Sequence, residues 1–400
     1  MGGEWRDVAI GQIAEIFDGP HATPPKTDSG PIFLGISNLA QGRLDLSVTE
    51  HLSDDDYGRW TRRVTPKAGD VVFSYETRLG EAAFIPSGFR CCLGRRMGLL
   101  RARPGKVDAR FLLYAYLGPR FQETLRSRTI PGSTVDRIPL IDMPSFPIEV
   151  PKDINEQRAI AHILGTLDDK IELNQRMNET LEAMARALFE SGFENSGGSR
   201  IGTFSEVVQL RRDPENPLDS PDTVFAHFSI PAFDEGQSPV LERGESIKSL
   251  KSRVPARAIL LSKLNPEIER VWRVDVKAGD RAVCSTEFLV LCPRDPFDRA
   301  YVYCLARSPA FRRQIEALVT GTSKSHQRAH ADAILKLPVV LPTEDAVTKF
   351  QKAASPLLDR ALACRRESRT LAELRDSLLP KLISGALRVS RREKIARETA

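Results

Sequence analysis

Apolar residues recur on one helical face through the middle of the chain. Positions 160, 164, 167, 171, 174, 178, 181, 185 and 188 alternate by four and three. They hold Ile160, Leu164, Leu167, Ile171, Asn174, Asn178, Leu181, Ala185 and Leu188. This is the spacing of a coiled-coil seam. Asn174 and Asn178 interrupt it, either as polar residues that fix register or as a wet stretch of seam. Asp153 is a candidate cap and Glu156 follows three residues later, as in a capping box. A second seam runs through Phe350, Ala354, Leu357, Ala361, Cys364, Ser368, Leu371, Arg375, Leu378 and Leu382, with Thr343 as its cap. Pro356 removes a backbone donor and predicts a kink near residue 352, and Pro380 should disturb the last turns.

The chain also repeats itself at an offset near 190 residues. Pro119 and Phe121 align with Pro309 and Phe311, Pro147–Pro151 with Pro338–Pro342, and Leu167-Asp168 with Leu358-Asp359. Each half has the same order. A turn and strand come first, at Lys67–Ser74 and Pro255–Ser262. A short amphipathic helix follows, around 109–126 and 298–317. A glycine loop comes next, Gly132-Ser133-Thr134 and Gly321-Thr322-Ser323, then a proline-bounded strand and a long helix. The reading is an α+β chain with a pseudo-two-fold internal repeat: mixed globular domains at 1–150 and 197–341, and long helices at 151–196 and 342–387 that form an antiparallel coiled coil. A basic tail, 388–400, exceeds the repeat. Residues 151–196 carry a net charge of −4 and residues 342–400 a net of +5, which favours pairing of the two helices.

Chemistry narrows the picture mostly by what is missing. No Gly-x-x-x-x-Gly-Lys-Ser/Thr loop, Gly-x-Gly-x-x-Gly turn or Gly-x-Ser-x-Gly elbow occurs. His326 and His330 are spaced i,i+4 but lack a third metal ligand nearby. Asp54-Asp55-Asp56 reads as a solvated helix start. Six cysteines without a CxxC read as reduced thiols in a cytoplasmic protein. No run of 18 apolar residues and no secretory leader pattern is visible.

The formal charge is +5, which permits an acidic partner without demanding one. Both heads carry basic residues among hydrogen-bonding ones. They are Arg95, Arg96, Ser133, Thr134 and Arg137 in the first half, and Lys263, Lys324, Ser325, His326, Gln327 and Arg328 in the second. Arginine and lysine read guanine edges, glutamine reads adenine, and hydroxyls hold phosphates. These eleven are the candidate DNA contacts. Yet residues 1–150 net only +1 and residues 197–341 only +3, so a DNA face needs an uneven distribution of charge. A non-catalytic coiled-coil scaffold with two protein-binding heads is the competing reading.

Taken in order, these segments resemble the specificity subunits of type I restriction–modification systems. The resemblance is carried by Ile16-Phe-Asp-Gly19, Lys67-Ala-Gly-Asp70, Gly132-Ser-Thr-Val135, Glu156-Gln-Arg158, Leu164-Gly-Thr-Leu-Asp-Asp-Lys-Ile-Glu-Leu-Asn174 and Gly321-Thr-Ser-Lys-Ser-His-Gln-Arg328. It spans essentially the whole chain. It implies two target-recognition domains that each read half of a bipartite duplex, with a coiled coil setting the distance between them. It implies two methyltransferase subunits docked on the helices, with motor–nuclease subunits completing the complex. The implied helix and partner residues are Glu156, Gln157, Leu164, Leu167, Ile171, Asn174, Asn178, Leu181, Leu357, Leu371 and Leu378. No cofactor or metal is expected on this chain; S-adenosylmethionine, ATP and magnesium belong to partners. The second helix departs from the pattern, with Glu344-Asp345 where the first has Glu156-Gln157.

Overall fold

A computed structural model describes residues 4–40, 42–132, 135–193, 199–277, 279–319 and 327–389. Its contacts gather into two units, Met1–Glu172 with Ser368–Ala400, and Leu173–Glu367. Helix and strand are mixed in both. The first long helix is Ile154–Phe193 and the second Glu344–Ile383, so each unit owns about half of each helix.

The first unit is built on four antiparallel strands, ordered Ala14–Asp18, Met97–Ala102, Val71–Ser74 and Ala82–Phe84. Alternation in Val71-Val72-Phe73 sends side chains to opposite faces. Val71 and Phe73 join a core with Phe111, Tyr114 and Tyr116, while Val72 joins one with Leu34, Cys91 and Leu99. The sheet is therefore covered on both sides, and the strand reads as continuously apolar. The Lys67–Asp70 turn that launches it is closed by Asp70, whose carboxylate accepts from the Lys67 N–H at 2.8 Å and from Arg101 at 2.7 and 2.9 Å. Gly69 takes φ +92°, a conformation that costs glycine little.

The second unit repeats the strand order with Val208–Arg211, Phe288–Pro293, Ile259–Ser262 and Val271–Arg273. Its flanking sheet differs. Five strands stand there, against three in the first unit.

The expected single short helix is two helices in each unit: Ala109–Leu117 and Pro119–Arg128, then Arg299–Arg307 and Pro309–Ala317. The residue before a proline is pushed out of the helical region, and proline itself suits the first turn. Gly118 and Ser308 accordingly sit at ψ 147° and 142°. Asp54–Trp60 is a helix capped by Ser53, as the acidic run suggested. All six cysteines are free thiols.

The long helices keep most of the predicted buried face, with two corrections. Leu188 is exposed and Phe189 buried; Leu357 is half-buried and Leu358 buried. Near the second unit's core the buried positions step by four, Ala185-Phe189-Phe193 and Phe350-Ala354-Leu358. A helix packed on a globular core follows that broader face, not a strict 3–4 seam. The second long helix continues through Pro356 and Pro380 without a break.

Inside the second unit the helices meet in opposite directions. Asn174 donates to Glu367 at 3.0 Å, Met177 meets Cys364 at 3.5 Å, and the Asn178 amide faces the Ala361 carbonyl at 3.1 Å. Asn174 is 1% exposed, which favours the register reading over the wet one. Inside the first unit the buried carboxylate of Asp168 accepts from Tyr114 at 2.6 Å and from Arg375 at 2.8 Å. It joins the short helix to both long ones. Removing the guanidinium strands this charge, a change that costs about 3–5 kcal/mol when a buried pair is broken. Arg375→Ala should therefore lower the first unit's stability by about 3 kcal/mol in urea unfolding; a loss below about 1 kcal/mol would show that the pair is not buried as described.

Candidate nucleic-acid interface

Three segments converge at one edge of each four-stranded sheet. In the first unit the strand ending at Ser74 continues into Tyr75 and Glu76. Ser74 Oγ donates to the Glu76 carbonyl at 2.5 Å, closing a small turn. The segment after the glycine loop pairs with this turn: Glu76 bridges Arg137, and the Ile138 N–H donates to the Tyr75 carbonyl at 2.8 Å. The turn before the next strand supplies Arg95 and Arg96, and the Tyr75 N–H reaches the Arg96 carbonyl at 3.3 Å.

The second unit builds the same junction. Ser262 Oγ donates to the Leu264 carbonyl at 3.0 Å, Leu264 bridges Arg328, and the Ala329 N–H donates to the Lys263 carbonyl at 3.0 Å. The Lys263 N–H donates to the Glu287 carbonyl at 3.0 Å, and the Asn265 N–H to the Gln327 carbonyl at 2.8 Å.

Backbone strain marks both junctions. Among the described residues four non-glycines have left-handed φ: Thr77 (67°), Arg96 (68°), Gln237 (55°) and Asn265 (48°). Three of the four lie at these edges. Such conformations cost of order 1–3 kcal/mol and persist where the surroundings over-determine them, often at functional sites. The Asn265 side-chain oxygen is in addition buried without a partner.

The predicted residues fall as follows. Arg95 and Arg137 are exposed. Arg96 Nε pairs with Glu76 at 2.8 Å. Arg328 is held by Glu287 through two bonds of 3.0 and 3.1 Å, which keep its guanidinium ionised and aligned. Lys263 and Gln327 are half-buried and lend their backbones to the junction. Ser133, Thr134, Lys324, Ser325 and His326 lie outside the described residues. Half-exposed pairs such as Arg96–Glu76 contribute only about 0–1 kcal/mol, so exchanging the carboxylate for a phosphate or base costs little.

Several residues at the junction were not anticipated. Asp18 accepts from Tyr75 at 3.1 Å and from Arg63 at 3.2 Å, with His21 at 2.7 Å. Burial and the Asp18 charge both push the Tyr75 phenol's pKa up, so it stays a donor. Glu76, Asn265 and Glu287 were missed as well. The alignment of Ser74 with Ser262 pointed at Glu76 and Asn265, which lie in the next three residues; no local signal marked Asp18 or Glu287.

Residues implied to serve partners are partly committed inside the first unit. Gln157 is 1% exposed; it donates to the Pro151 carbonyl at 2.8 Å and accepts from the Asp108 N–H at 2.9 Å. Leu164 and Ile171 are buried, and Leu167, Leu371 and Leu378 half-buried, as is Leu181 in the second unit. Glu156 stays partly accessible on the helix's first turn. In the second helix Val347, four residues past its cap as Gln157 is past Asp153, is fully buried and apolar. Among the described residues no group of three His, Cys, Asp or Glu side chains is placed to hold a metal ion. No described helix is long and apolar enough to cross a membrane.

A strained junction, with an arginine paired to a carboxylate, is therefore built on the matching sheet of each unit. Residues 3–183 match the family described as the type I restriction modification DNA specificity domain. The MjaIX specificity subunit of Methanocaldococcus jannaschii is 21% identical over 352 residues, covering 82% of this chain and 79% of the relative. The HindI specificity subunit of Haemophilus influenzae is 21% identical over 339 residues, covering 66% and 72%. The crystal structure of a type I restriction–modification S subunit from M. genitalium superposes with a TM-score of 0.60 at 14% identity, covering 95% of this chain and 96% of that one. Residues 3–183 thus resemble a type I restriction modification DNA specificity domain, and most of the chain's length is similar to specificity subunits of type I restriction–modification systems.

Arg96 offers a clean test of the edge. Glycine accepts its left-handed backbone, and the ion pair lost is weak. Arg96→Gly should leave thermal stability within about 1 kcal/mol of the parent and lower duplex affinity severalfold. Reduced stability with unchanged affinity would make Arg96 a structural residue.

Proposed function

We propose that this chain is the non-catalytic reader and ruler of a type I restriction–modification complex, each unit recognising one half of a bipartite duplex target. The observation that carries the reading is the doubled junction: one backbone frame, built twice, with different side chains on each copy. The two long helices form the antiparallel coiled coil that sets the half-site spacing. Each has 40 residues, and a helix of that length rises about 60 Å. The opposed pairing of Asn174 with Glu367 and of Met177 with Cys364 supports this arrangement.

Two methyltransferase subunits dock on the helical scaffold and bring S-adenosylmethionine. Motor–nuclease subunits bring ATP and magnesium. The complex works on cytoplasmic DNA. This chain's own contribution is geometry: arginines held in place by carboxylates, and loops carried on rigid sheet edges.

The test combines partners and salt. A tagged chain expressed in its native host should co-purify with a methyltransferase subunit in about two copies. The assembled complex should bind its duplex with log affinity falling linearly in log salt, by about 0.9 per phosphate contacted. Recovery of the chain alone, with salt-insensitive DNA binding, would favour a protein-binding scaffold.

A further inference from the structure

We propose that the junction edge carries two kinds of residue with separate tasks. Arg137 and Arg328 are common anchors that hold the DNA backbone, and the side chains around them make the two half-sites different. This rests on the target-recognition reading above and deepens it.

Strand register fixes which positions correspond. In the first unit Ala14 pairs with Ala102 and Ser74 with Met97; in the second Val208 pairs with Pro293 and Ser262 with Phe288. Counting along the strands, Asp18 corresponds to Arg212, Tyr75 to Lys263, Glu76 to Leu264 and Arg96 to Glu287. The bridges from Glu76 and Leu264 make Arg137 correspond to Arg328. Part of the strain is shared as well: Thr77 and Asn265 correspond and both have left-handed φ, whereas Arg96 has it and Glu287 does not.

On this common frame one cationic side chain is kept and its neighbours change character. An acid becomes a base at 18 and 212. A phenol becomes an ammonium at 75 and 263. An acid becomes a leucine at 76 and 264. A base becomes an acid at 96 and 287. With Arg137 or Arg328 included, the first edge is neutral and the second carries +2.

A group placed identically on both edges suits something identical in both half-sites, and the phosphodiester is that thing. Groups that change suit what changes, the base edges. Carboxylates accept from the cytosine amino group, and arginine and lysine donate to guanine O6 and N7. Glu287, bonded to Arg328 in the free protein, would thus be the reader, and Arg328 the anchor it releases to phosphate.

The experiment uses the full chain with its methyltransferase subunits, and reads methylated sites across a genome together with duplex affinity. A chain carrying Asp18→Arg, Glu76→Leu and Arg96→Glu should change the bases required in the first unit's half-site and leave the other half-site intact. Glu287→Gln, which keeps side-chain size, should relax one base pair of the other half-site; it decides the matter should the triple variant fail to fold. Arg328→Ala should lower affinity severalfold for all sequences, flatten the salt slope by about one unit, and leave the methylated sequence unchanged. Unchanged requirements in both the folded triple variant and Glu287→Gln overturn the proposal, as does loss of discrimination at a single base pair in Arg328→Ala. Absence of methylation or duplex binding by the parent complex would instead refute the target-recognition reading itself.

Discussion

In each unit a carboxylate, buried in the first and half-buried in the second, ties the short helix to both long helices. In the first unit Asp168 is gripped by Tyr114 from the short helix and by Arg375 from the second long helix. In the second unit Glu182 lies between Arg307 of the short helix and Arg365 of the second long helix. A buried ion pair is a weak source of stability but a demanding one, because its partners must meet in one geometry or leave a bare charge. Apolar contacts alone would let a helix slide or turn by a fraction of a residue; these pairs do not. The short helices back the four-stranded sheets, so sheet orientation relative to the helices within each unit follows from this contact. Gly165 contributes by letting the Arg110 guanidinium lie against the helix, where it reaches the Gly165 carbonyl at 3.0 Å and Asp169 at 2.6 and 2.9 Å.

Each sheet also carries a junction with left-handed backbone, where one arginine is paired with a carboxylate. The pairing matters for recognition. A free arginine on a long side chain loses rotamer entropy when it binds. One already held by a neighbouring carboxylate has lost much of it, and gives up only a weak surface bond on switching to DNA. Arg96 with Glu76 and Arg328 with Glu287 both have this form. Modest net charge in the heads is therefore compatible with DNA recognition, because carboxylates that lower the count hold arginines at the two junctions.

Much of this was visible in the chain. The heptad spacing gave both long helices, and the 190-residue offset gave the matching order of elements. The segment Leu164-Gly-Thr-Leu-Asp-Asp169 carried information at nearly every position: Leu164 enters the core, Gly165 seats Arg110, Asp168 takes the buried pair and Asp169 the outer one. Helix breaks at Pro119 and Pro309 were missed because an amphipathic pattern hides the extended residue that a proline demands before it. Leu358 and Phe189 displaced Leu357 and Leu188 because a face packed on a globular core drifts away from a strict seam. The partner of Arg328 was invisible for a different reason. Glu287 lies 41 residues away, and only the folded sheet brings that turn to the junction.

The central claim is that each unit reads its own half of the target. The most direct measurement is a genome-wide methylation map after residues 197–341 are replaced by the corresponding segment of a specificity subunit. The account predicts a new sequence in one half-site, with the other half-site and the spacer retained. Both half-sites unchanged, or both altered together, would contradict it.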